Sequence, residues 1–123
     1  MNDIFLATKH PLAFDDIASI AVKFSYRFDR FIGNPLESMK VYYDHNSYWQ
    51  FMDLRDEFGE LNSLSPQEKD MLINQGITTI YIVVHYIDSM DKLYSFLGYI
   101  IDIYKGFVGS DGENFEPLLL QKQ

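Results

Sequence analysis

At 123 residues, 47% of them hydrophobic and none cysteine, the chain has the length and composition of one globular domain. It folds without disulfides, thiolate chemistry or cysteine-bound zinc. The formal charge of −8 is uneven: residues 1–43 hold five acids and five bases, whereas residues 44–123 hold thirteen acids and five bases. Such a field repels phosphate backbones and attracts basic proteins, which disfavours nucleic acid as a partner.

No apolar run approaches the ~20 residues of a membrane span. The first ten residues have no basic leader followed by an apolar stretch, so a cytoplasmic location is expected. Ile4, Phe5 and Leu6 suggest a short first strand. Residues 15–31 read as a helix, because Ile17, Ile20, Ala21, Phe24, Phe28 and Phe31 recur at spacings of three and four. Asp15 and Asp16 suit the positive end of its dipole, Arg27 and Arg30 its last turn, and Gly33 and Pro35 its stop. Residues 39–43 and 48–54 read as a hairpin around the turn formers Asp44, His45, Asn46 and Ser47. Both faces of this hairpin are partly apolar, so its buried side stays open at the level of sequence.

Residues 55–60 read as a loop or broken helical turn. Ser65, Pro66 and Glu68 then form a capping box with proline at the first helical position, opening a short helix over 66–75. Met71 and Leu72 are its expected buried residues, and Gly76 its stop. Residues 77–86 are the most strand-like run. Ile80, Ile82, Val84 and Tyr86 share an apolar face, and Thr79, Tyr81, Val83 and His85 a mixed one. Without lysine or proline to blunt an edge, this strand belongs inside the sheet. Asp88 or Ser89 is expected to cap a helix running to Tyr104, with Met90, Leu93, Leu97, Ile100 and Tyr104 in one row. Lys105 and Gly106 end it, Phe107 and Val108 begin a last short strand, and Asp111 and Gly112 mark a turn. Leu118, Leu119 and Leu120 are too apolar for a free tail and should dock on the body or on a partner. The order predicts a single domain over 1–123 of the α+β class. Its mainly antiparallel sheet has about four to five strands, with two long helices and one short helix covering one face.

Motifs for chemistry are missing. His10, His45 and His85 share no metal-ligand spacing and read as loop or sheet-surface residues. There is no nucleophile elbow and no glycine-rich phosphate loop. Asp53, Asp56, Glu57 and Glu60 cluster around Arg55, and paired carboxylates can run acid/base chemistry or hold a divalent metal. A solvated or protein-binding face fits them better. No cofactor or metal is expected, and the chain does not read as an enzyme.

What remains is aromatic and acidic surface. Tyr42, Tyr48 and Trp49 beside Asp53, Asp56, Glu57 and Glu60 form the candidate partner-binding set. Aromatic anchors supply affinity, and acids steer a basic partner. The late pattern comprises the strand over 77–86, the helix to Tyr104, and then Gly106, Phe107, Val108, Gly109, Ser110, Asp111, Gly112 and Glu113. In it the chain resembles small immunity proteins of bacterial polymorphic-toxin and contact-dependent growth inhibition systems. The resemblance implies a cytoplasmic, acidic protein that neutralises one cognate toxin domain, often a nuclease, by covering its active site or an exosite. The alternatives are an acidic DNA-mimic or adaptor-type inhibitor, and a small ligand-binding or enzymatic domain using the carboxylates at 53–60.

Overall fold

The computed structural model describes residues 2–31, 37–53, 66–86, 90–110 and 117–120. Its elements run β1 (Asn2–Thr8), α1 (Phe14–Lys23), β2 (Arg27–Phe31), β3 (Ser38–Tyr42), β4 (Tyr48–Asp53), α2 (Pro66–Asn74), β5 (Thr79–His85), α3 (Met90–Tyr104), β6 (Gly106–Ser110) and β7 (Pro117–Leu120). The strands form one sheet in the order β2-β3-β4-β5-β1-β6-β7. Every pairing is antiparallel. The α+β class holds, with seven strands among the described residues in place of the four to five expected. No helix among the described residues is long and apolar enough to cross a membrane.

The largest departure from expectation is at residues 15–31. The helix ends at Lys23, and Arg27–Phe31 is an edge strand. The stop is a Schellman turn: the Ser25 amide donates to the Val22 carbonyl (2.9 Å) and the Tyr26 amide to the Ala21 carbonyl (2.8 Å). Ser25 takes the left-handed position at φ 62°. Glycine usually fills that position, so a serine there concealed the end of the helix. Phe28 and Phe31 leave the helical stripe and stand 40% and 44% exposed on β2. Arg30 ties β2 back, pairing with Asp15 of α1 and with Glu37 at 3.1 Å each. Exposed pairs of this kind contribute at most about 1 kcal/mol. At the other end of α1, the Asp16 carboxylate accepts from the Ala13 amide at 2.9 Å. Alanine has no side-chain acceptor to return the bond, so this is half of a capping box.

The other two helices stop where the residues suggest. Gly76 sits at φ 76°, with the Gly76 amide bonded to the Ile73 carbonyl and the Ile77 amide to the Leu72 carbonyl, both at 3.0 Å. Lys105 takes φ 61° after α3, its amide bonded to the Ile101 carbonyl at 2.9 Å. Among the described residues only α3, with 15 residues, is long; α1 has 10. The expected caps at Ser65 and at Asp88 or Ser89, and the turn at Asp111 and Gly112, lie outside the described residues.

The main core lies between the sheet and α1 and α3. Ile17, Ile20, Leu93, Phe96 and Ile100 pack there against Leu6, Val41, Trp49, Phe51, Tyr81 and Val83. A smaller core on the opposite face joins Phe5, Ala7, Ile80 and Phe107 to Leu72 of α2 and to Ile77. Alternation along a strand puts Leu6 and Ala7 on opposite sides. Helices therefore cover both faces, not one. The mixed face of β5 proves to be the main-core face. Tyr81 is accommodated there because its hydroxyl donates to the Leu12 carbonyl at 2.5 Å.

The short first strand is longer than expected and central, bonded to β5 and β6. Leu118, Leu119 and Leu120 dock on the body as β7 against β6. At Gly106 the β1 backbone comes so close that an added Cβ would stand 1.9 Å from the Ala7 carbonyl oxygen.

Candidate functional site

The hairpin of β3 and β4 sorts its residues by parity. Met39, Val41, Trp49 and Phe51 point into the main core, while Lys40, Tyr42, Tyr48, Gln50 and Met52 stay half-buried on the outer face. Of the predicted binding set, the structure brings Tyr42 and Tyr48 together there, directly opposite in register with ring centroids 5.5 Å apart.

Trp49 is a correction. It is 0% exposed, stacked on Tyr43 at 4.6 Å and packed against Tyr26 at 5.7 Å and Phe96 at 5.5 Å. It anchors the core and is closed to a partner in this fold. Asp53 has the parity of Trp49 and pairs in register with Tyr81. It thus projects from the other side of the sheet than Tyr42 and Tyr48. Asp56, Glu57 and Glu60 lie outside the described residues.

The outer face contains residues not assigned from sequence. Arg27 lies 4.7 Å over the Tyr42 ring and donates to the His45 carbonyl at 2.8 Å. Lys40 Nζ sits 4.5 Å over the Tyr48 ring and 5.2 Å over the Phe31 ring. Tyr86, 38% exposed, meets Tyr48 edge-on at 6.4 Å. Arg27, Tyr42, Tyr48 and Tyr86 thus form a row across β2, β3 and β4 to the residue that follows β5. Contacts of a cation with a ring face contribute about 0.5–1 kcal/mol each at exposed sites. They favour the ring orientations seen here. Among the described residues, Arg27, Lys40 and the exposed Asp29 stand beside the rings. Arg27 and Phe31 were missed because the helical reading of 15–31 placed them on a helix. The alternation of Lys40 with Val41 was the available signal for the face of Lys40.

The histidines stay apart. His10 and His45 are exposed. His85, expected on the sheet surface, is 3% exposed and has the parity of Tyr81 and Val83 on β5, and its Nε2 has no hydrogen-bond partner among the described residues. No group of three or more His, Asp or Glu is placed to hold a metal ion among the described residues. Two phenols titrate away from their ordinary range. Burial pushes Tyr26 up, and burial together with the hydrogen-bonded Asp16 carboxylate pushes Tyr104 up.

No family model, curated protein or solved structure matches this chain.

Proposed function

We propose that the chain works by binding a protein through the outer face of β2–β5, and that this partner is the toxin domain implied by the immunity-protein resemblance. The observation that supports the reading is the Arg27, Tyr42, Tyr48, Tyr86 row. Tyrosines held in place by packing lose little entropy on binding and offer apolar area with a polar tip. The net charge of −8 acts at longer range and raises the encounter rate with a basic domain. Short-range contact falls to the rings. Neutralisation then requires only that the toxin's active site or exosite be covered.

The test is co-expression and pull-down with the toxin domain encoded beside this chain. Wild type is expected to protect and to form a 1:1 complex. A Tyr42→Ser/Tyr48→Ser double variant is expected to lose both while its circular dichroism and unfolding midpoint stay near wild type. Full protection by the folded double variant would remove this face from the reading. No protection and no complex with wild type would remove the immunity role.

A further inference from the structure

The free edge of the sheet at β2 is the second surface that stands out. Among the described residues β2 is bonded on one side only, to β3, and all five of its residues are exposed. An unpaired edge is a template for another strand, and charges along it restrict which strand can add. The sequence of this edge is Arg27, Phe28, Asp29, Arg30, Phe31.

We propose that β2 pairs with β2 of a second copy of this chain, antiparallel, about a two-fold axis at Phe28. A two-fold dimer uses the same patch on both copies, so each candidate register is named by the residue that meets itself. An axis at Arg27 or Arg30 sets arginine against arginine, and an axis at Asp29 sets aspartate against aspartate. Like charges directly opposite disfavour pairing. An axis at Phe31 sets Phe31 alone against a residue of the partner copy's β2. An axis at Phe28 sets Arg27 against the partner copy's aspartate at 29, twice by symmetry, and joins the two half-exposed Phe28 rings. One register is complementary and the other charged ones are self-repelling.

The wider field favours the same edge. β2 belongs to residues 1–43, where acids and bases balance, while the whole acidic excess lies in residues 44–123. Two copies meeting at β2 join their neutral portions. The two surfaces share Arg27, which lies over the Tyr42 ring, so dimerisation is read from the mass of the Asp29 variants and partner binding from the Tyr42→Ser/Tyr48→Ser variant.

Sedimentation equilibrium of the full chain tests the dimer, with circular dichroism confirming the fold of each variant. Wild type is expected to show a concentration-dependent rise to twice the chain mass. Asp29→Arg sets arginine against arginine at both pairs and is expected to weaken dimerisation about tenfold or more. Arg27→Asp/Asp29→Arg exchanges the charges, and is expected to restore association to near the wild-type constant. A wild-type chain that stays monomeric at high micromolar concentration overturns the proposal. So does an Asp29→Arg dimer as tight as wild type, and a double exchange no tighter than the single variant overturns the register.

Discussion

Replacing Trp49 by alanine separates a core role from a surface role at one position. The indole is fully buried, with Tyr43 stacked on one side and Tyr26 and Phe96 against it. Large-to-small substitution of a buried tryptophan costs about 3–5 kcal/mol, the loss growing with the cavity left behind. Three aromatic neighbours put this site at the upper end, since ring pairs add about 0.5–1.5 kcal/mol each beyond their buried area. Against a total stability of about 5–15 kcal/mol for a domain, Trp49→Ala is marginally folded. Trp49→Phe keeps a ring in the site and should lose less than half as much. Urea unfolding followed by far-ultraviolet circular dichroism measures both, because this is the only tryptophan and its fluorescence vanishes in the variants. With a urea slope of about 1–3 kcal/mol per molar, the alanine midpoint should fall by more than about 1 M. A Trp49→Ala unfolding free energy within about 0.5 kcal/mol of wild type, together with lost partner binding, would refute the buried placement and return Trp49 to the surface.

Gly106→Ala should destabilise by about 2 kcal/mol or more, because the added methyl meets the Ala7 carbonyl of the central strand at 1.9 Å and backbone must move; a thermal or urea midpoint equal to wild type would contradict this close approach. Ser25→Gly should raise stability by up to about 1 kcal/mol, since the left-handed turn at φ 62° strains any residue with a Cβ, and equilibrium unfolding reads the sign. Alkaline pH should weaken the fold through Tyr26 and Tyr104. Both phenols have folded pKa values raised above 10.0, so their contribution is complete below about pH 10 and is lost as pH rises through the folded values. Tyr104→Phe should flatten that alkaline decline in a series of unfolding curves; an unchanged slope would count against the raised phenol.

What the sequence determined by itself was local. Gly76 ended α2, the turn formers at 44–47 placed the β3–β4 hairpin, and the apolar run at 77–86 marked an interior strand. Each depends on backbone preference or periodicity within a few residues. The boundary at Ser25 was not legible, because serine in a glycine position carries no local mark and Phe24, Phe28 and Phe31 extend the helical spacing by coincidence. Burial on the hairpin was also beyond the sequence. Trp49 and Tyr48 are neighbours of similar character, and a strand places neighbours on opposite faces. Only the positions of α1 and α3 decided that Trp49 enters the core and Tyr48 faces outward. The candidate face was therefore half legible. Tyr42 and Tyr48 announced themselves as aromatics in a hairpin, whereas Arg27 and Tyr86 join them only when β2 and β5 are brought alongside by pairings that span distant parts of the chain.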